Sequence, residues 1–220
     1  DIELHDYGWQ AIVGGFGFLT DRFPEPKLNV HTIDTINKTT MFNGKVKIPL
    51  KPFPGVMGVA PDTEEMLSTI PPRANGGNMD DPSIVEGTTV YFPVFVKGAL
   101  FSIGDAHAVQ GLGEVCGTAI EAPMTFVYRL RVLKNKPAIQ EPQYETDDFY
   151  AVTGFGETID IATKKAVNFM VDHLSENYDI SAEDAYMLCS LVGDLKIAEV
   201  VDVPNMLVTM HFPKSILDQL

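Results

Sequence analysis

Asp105 and His107 stand one residue apart in Gly104-Asp105-Ala106-His107-Ala108-Val109-Gln110-Gly111-Leu112-Gly113-Glu114-Val115-Cys116-Gly117, the densest run of reactive side chains in the sequence. Extended backbone repeats every two residues, so a strand from Phe101 to His107 would put this carboxylate and imidazole on one face. Such a pair suits either a divalent metal or carboxylate–imidazole acid/base chemistry. The four glycines of the same stretch allow sharp turns that would bring Glu114 back towards the pair. A D-x-H pair alone is commonly a surface or hydrogen-bonded structural pair, and that alternative stays open here.

A second cluster, Ile70-Pro71-Pro72-Arg73-Ala74-Asn75-Gly76-Gly77-Asn78-Met79-Asp80-Asp81, mixes turn formers with Asn78, Asp80 and Asp81. It could line a polar pocket or hold a cation through oxygen; the competing reading is a solvated loop with Asx turns. Cys116, close in sequence to Glu114 and His107, offers a thiol nucleophile, and a Glu–Lys–Cys arrangement with Lys97 would suit amide hydrolysis. Its neighbours Val115, Gly117 and Ala119 equally fit a small core cysteine. Two nucleotide signatures are excluded. No Lys-Ser/Thr follows the glycines, and Gly111-Leu112-Gly113 meets its next glycine only at Gly117. His5, His31, His173 and His211 have no acid partner in a recognisable motif.

The elements that must position these groups read as β structure up to about residue 153. Val46–Leu50 alternates as a short strand with Pro49 at an edge or end, and Thr89–Val96 is apolar on both faces, interrupted by Pro93. Met124 to Leu133 alternates most cleanly, with Met124, Phe126, Tyr128, Leu130 and Val132 on one face. From Thr158 to Tyr178 the pattern becomes helical, with Ala162, Ala166, Met170 and Leu174 every four residues. Ser181-Ala182-Glu183-Asp184 resembles a capping box opening a second helix, on whose apolar side Cys189 falls. Lys196 to Asp202 alternates again as a returning strand. The expected fold class is α+β: a β-rich sandwich or barrel-like body over 1–153 carrying the site, and a C-terminal helical hairpin over 154–220 packed on it.

Composition bounds the rest. The chain has 220 residues, 45% hydrophobic and 21% charged, with 30 acids against 16 bases and a formal charge of −14. That balance disfavours nucleic acid and anionic lipid as partners, and no apolar run is long enough to span a membrane. Two cysteines and the lack of a visible signal peptide point to a reducing, cytoplasmic setting. The opening Asp1-Ile2-Glu3-Leu4-His5-Asp6 has no starting Met and alternates like a strand entered partway, as in a processed or truncated product.

Several ordered segments resemble the acetamidase/formamidase family. They are Pro54-Gly55-Val56-Met57-Gly58-Val59-Ala60-Pro61, Pro71-Pro72 with Gly76-Gly77-Asn78-Met79-Asp80, and Gly98-Ala99-Leu100-Phe101-Ser102-Ile103-Gly104-Asp105-Ala106-His107. Gln110-Gly111, Gly113-Glu114-Val115-Cys116-Gly117-Thr118-Ala119-Ile120-Glu121 and Ala185-Tyr186-Met187-Leu188-Cys189-Ser190 complete the set, so the likeness runs from about Tyr7 to Ser215. The resemblance implies hydrolysis of short amides such as formamide or acetamide to acid and ammonia. It also implies a β-rich fold with a C-terminal helical part, a homo-oligomer and a divalent metal, zinc before calcium. Asp105, His107 and Glu114 fall on motif positions associated with the active site, and Asn78 and Asp80 on the loop of the family pattern. Leu112 departs from the family's Gln-Gly-Asp-Gly-Glu, and the family pattern begins upstream of Asp1 with a segment expected to complete the β domain.

The expected machinery is therefore a metal held by Asp105, His107 and Asp80, with Glu114 as general base and Asn78 as donor to the developing oxyanion. A thiol amidase using Cys116 and an inactive binding or structural relative are the alternatives.

Overall fold

The computed structural model describes residues 1–134 and 136–220. The first half is a run of strands: β1 (Ile2–Leu4), β2 (Tyr7–Ile12), β3 (Lys27–Asp34), β4 (Thr39–Phe42), β5 (Val46–Pro49), β6 (Phe53–Gly58), β7 (Gly76–Asn78) and β8 (Thr89–Tyr91). Then come β9 (Ser102–Val109), β10 (Ile120–Glu121), β11 (Met124–Phe126), β12 (Gln143–Glu145) and β13 (Phe149–Gly156). Two helices follow, α1 (Ile159–Asn177) and α2 (Ala182–Val192), and then β14 (Asp194–Glu199), β15 (Met206–Pro213) and the short α3 (Lys214–Leu217).

An eight-stranded sheet has the order β5-β4-β3-β2-β10-β9-β6-β7, a five-stranded sheet the order β14-β15-β13-β12-β8, and β1 pairs with β11 as a separate ribbon. All strand pairs between named strands are antiparallel. The class is α+β and β-rich, as the residue pattern suggests. The boundary expected at 153/154 falls inside β13, and two strands after the helices join the same sheet as β13.

The helical hairpin follows from local sequence. Thr158 Oγ1 accepts the Ile161 amide at 3.2 Å and Ser181 Oγ the Asp184 amide at 3.1 Å, so each helix opens on a side-chain cap. The four-residue spacing buries Ala162, Ala166, Met170 and Leu174 against Val152, Val208, Met210 and Phe212 of the five-stranded sheet. Gly154 permits the close approach, since a Cβ there would lie 2.2 Å from the Ala162 carbonyl oxygen. Burial of that apolar stripe supplies most of the helix's stability.

Two strands come out shorter than their patterns suggest. Met124–Leu133 is a strand only to Phe126, the last residue paired with β1; Val127, Tyr128, Leu130, Val132 and Leu133 are exposed. Thr89–Val96 keeps only β8 at the sheet edge, ending ahead of Pro93, which lacks a ladder donor, and Val94 and Phe95 face solvent. Conversely, β15 runs through the middle of the five-stranded sheet with both faces buried, so period-2 alternation is absent from its sequence. Among the described residues no helix is long and apolar enough to cross a membrane.

Candidate active site

His107 lies on β9 with 1% of its surface exposed, and carboxylates approach both of its ring nitrogens. Asp105, two residues back on the same strand, places Oδ2 3.4 Å from Nε2, so the two side chains do share a face. Glu121 reaches the same nitrogen at 3.2 Å from the neighbouring strand, because β10 pairs with β9 in a register that sets Glu121 opposite His107. On the other nitrogen, Gln110 Oε1 accepts a hydrogen bond from Nδ1 at 2.8 Å while Gln110 Nε2 donates to the Asp80 backbone carbonyl at 2.6 Å. These two bonds orient the Gln110 amide and put a hydrogen on His107 Nδ1.

Asp80 Oδ1 is 3.7 Å from Nδ1. Asp80 therefore does not join Asp105 around one nitrogen, and the expected trio of Asp105, His107 and Asp80 is divided by the ring. Two clusters with metal-ligand spacing form instead, Asp105–His107–Glu121 and Asp80–His107–Glu114. Glu114 arrives on the loop after β9, whose Gly113 amide donates to the Ala198 carbonyl at 2.8 Å and whose Gly113 carbonyl accepts from Val200 at 3.3 Å. This stitching to the end of β14 buries Glu114 to 6% exposure. Gly55 on β6 leaves the space these groups occupy: a Cβ there would stand 2.3 Å from Asp80 Oδ1 and 2.8 Å from His107 Cε1.

The backbone is strained where the acids sit. Asp80, Asp105 and Glu114 have φ of 43°, 49° and 46°, in the left-handed region that non-glycine residues avoid. Electrostatics match. Burial pushes the Glu114 carboxyl up to about 8 and that of Asp202 up to about 6, with neighbouring acids adding to both. Asp80, also buried, is raised well above the usual range, with the Glu114 charge contributing. Burial disfavours protonated His107, yet its hydrogen bonds to the Asp105 and Glu121 carboxylates and the charges of Asp80 and Glu121 lift it to about 11. Asp105 stays below the ordinary value because bonding to His107 outweighs its burial.

The residues present fit a divalent cation. Five acids (Asp80, Asp105, Glu114, Glu121 and Asp202) act on or hydrogen-bond one another around a single imidazole. Asp80 Oδ1 is buried with no hydrogen-bond partner among the described residues. Buried carboxylates in such excess call for a positive charge.

Asn78, expected as an oxyanion donor, gives its Nδ2 hydrogen to Asp202 Oδ2 at 2.6 Å. Asp202 is in turn held by the buried Glu199, whose Oε1 accepts the Val201 and Asp202 amides. Cys116 is apart from the His107 cluster: its Sγ donates to the Thr118 carbonyl at 3.3 Å and accepts from Gln10 at 3.6 Å, while Lys97 is exposed. Leu112 is exposed on the same loop as Glu114. Glu121, Gln110, Asp202 and Gly55 have no assigned role in the residue pattern alone. Gly55 and Glu121 lie within the family-like segments, but only strand register brings them to His107.

The model of the Acetamidase/Formamidase family matches residues 63–219. A formamidase from Methylophilus methylotrophus is 25% identical over 280 residues, covering 96% of this chain and 68% of that protein. Two solved structures superpose along the entire chain with a TM-score of 0.89. One is an acetamidase from Bacillus halodurans, 28% identical with 73% of its chain covered. The other is a predicted acetamidase/formamidase from Thermoanaerobacter tengcongensis, 33% identical with 71% covered.

Proposed function

The chain belongs to the acetamidase/formamidase family, and from that premise we propose that it hydrolyses short linear amides, formamide- or acetamide-like, to the carboxylic acid and ammonia with the help of a divalent metal. The observation that carries the metal reading is the asymmetry of His107. Gln110 occupies Nδ1 and leaves Nε2 facing the Asp105 and Glu121 carboxylates, so that one nitrogen and two carboxylates converge where a cation can replace the proton that otherwise bridges them. Asp105, His107 and Glu121 would hold the ion, with Gln110 fixing the ring from behind as metal-bound histidines require. One imidazole and two carboxylates suit zinc, which would supply an acidified water and polarise a carbonyl oxygen when bound.

The chain's own groups do the proton work. Glu114 is buried beside His107 with its carboxyl raised to about 8, close to the pH at which a general acid or base is most useful. Its ionised form accepts the proton of the attacking water, and its protonated form delivers one to the departing amine. Asn78 holds Asp202 at the edge of this cluster and so acts on an acid rather than on the substrate.

The test is ammonia release from a panel of short amides by protein stripped with chelator and then reloaded with Zn²⁺, Mn²⁺ or Ca²⁺. Loss on stripping and recovery with an added ion is the expected result. Undiminished turnover of the stripped protein would end the metal reading, and silence on all amides with every ion would end the amidase reading.

A further inference from the structure

Four polar side chains between the two large sheets have no part in the reaction just described, yet they form one directed chain of hydrogen bonds. Lys196 Nζ lies 3.2 Å from His211 Nδ1, and an ammonium can only donate. His211 is 3% exposed, and burial, then the Lys196 charge, push its pKa down to about 3, so the ring is neutral; with Nδ1 accepting from Lys196, its hydrogen sits on Nε2. That nitrogen is 2.9 Å from Tyr144 Oη and 3.0 Å from Thr209 Oγ1. Tyr144, fully buried, donates its hydroxyl hydrogen to Asp81 Oδ2. Every donor points the same way, from a half-buried cation on β14 to a buried carboxylate, an arrangement in which each bond polarises the next.

Strand register explains why the chain closes. Tyr144 on β12 and His211 on β15 both pair with Ala151 on β13, whose methyl group is too small to separate them. Lys196 pairs with Thr209, two residues from His211 on the same face.

The far end matters because of what Asp81 is joined to. Its Oδ1 accepts the Ser83 amide at 2.9 Å and its Oδ2 takes the Tyr144 hydroxyl, so its side chain is pinned at both oxygens. The carbonyl of the Asp80–Asp81 peptide is the acceptor for Gln110 Nε2, and Gln110 in turn holds His107 Nδ1. We propose that Lys196, His211 and Tyr144 are positioning residues that lock the Asp80–Asp81 peptide plane through Asp81, and thereby fix Gln110 and the orientation of the His107 ring. The left-handed backbone of Asp80 needs such a clamp, since the chain would otherwise relax away from it.

This inference rests on the reading that His107 holds the metal, and its test keeps the two apart. Tyr144→Phe removes one hydroxyl and no volume to speak of. Tyr150→Phe, which loses a hydroxyl bonded to Gln143 on the same sheet, is the matched control. Zn²⁺ affinity is read by competition with a chromophoric chelator. The His107 Nδ1–H proton is read by NMR on the metal-free protein, where its bond to Gln110 shields it from exchange. Tyr144→Phe should weaken Zn²⁺ binding about tenfold, as loss of support behind a histidine ligand does, and should speed exchange of the His107 proton. Either quantity remaining at its wild-type value would overturn the proposal, whatever happens to the melting temperature. If Tyr144→Phe fails to fold, Lys196→Met, at the half-buried start of the chain, is read by the same two measurements and the same rule. A protein that shows both effects but releases no ammonia from any amide sustains the positioning chain and refutes the reaction.

Discussion

On its helix-covered face the five-stranded sheet sets Val152, Val208, Met210 and Phe212 against Ala162, Ala166, Met170 and Leu174; on the opposite face the same strands carry Tyr144, Thr209 and His211 towards the acids around His107. The first region is regular. Its helices are capped and its side chains are apolar, and its energy comes from area removed from water. The second holds a buried carboxylate oxygen without a partner, three acids with left-handed backbone and carboxyls displaced upward by burial. One sheet thus serves two purposes. The helix-covered side is apolar throughout, whereas the opposite side joins a second apolar cluster, including Ala151, Phe155 and Leu207, to the groups whose burial opposes folding.

Substitutions should separate the two sides. Glu114→Gln keeps the shape of the side chain and removes its proton transfer, so ammonia release should fall by roughly 10²–10⁴-fold with urea unfolding little changed. A Glu114→Gln protein of wild-type rate would break the division at its most important point. Leu174→Ala in the helix-covered core should lower stability by about 2–5 kcal/mol in urea titration while turnover per folded molecule stays at its original value. A loss of turnover under strongly native conditions would mean that the sides are coupled.

Acidification gives the mildest test. Burial holds His173 down to about 4 and His211 down to about 3, against 6.5 for an unperturbed histidine. Below pH 6.5 the unfolded chain takes up these protons first, so the stabilising contribution present above that pH is lost as the pH falls towards 4 and 3. His173, stacked on Tyr150 with ring centroids 4.0 Å apart, feels the charge of Glu145, and none of the acids around His107 is among the causes of its shift. His173→Gln should therefore flatten the fall in stability between pH 6.5 and 4, read from unfolding midpoints, without altering the pH profile of turnover.

The two sides also differed in how far the amino-acid pattern exposed them. The first helix was legible because its apolar residues recur every four positions and Thr158 caps it, all within local sequence. β13 and β15 are hidden in the sequence because strands buried on both faces lose the alternation that would reveal them. At the site, Asp105 and His107 could be paired by their spacing alone. Glu121 could not, since it meets His107 only through the register of β10 on β9, and spacing does not reveal that Asp80 and Asp105 approach different nitrogens of the ring. The exposed alternation from Val127 to Leu133 shows the converse: a strand pattern needs a partner strand, and among the described residues no strand pairs with it beyond Phe126.

The acids at 80, 105 and 114 occupy backbone angles natural to glycine. Strain of this kind is worth about 1–3 kcal/mol per position, so replacing any of the three by glycine would relieve it while deleting a carboxylate. Directed evolution that selects for heat resistance alone would therefore enrich inactive glycine variants at these positions, and a screen of this protein must score turnover and durability together.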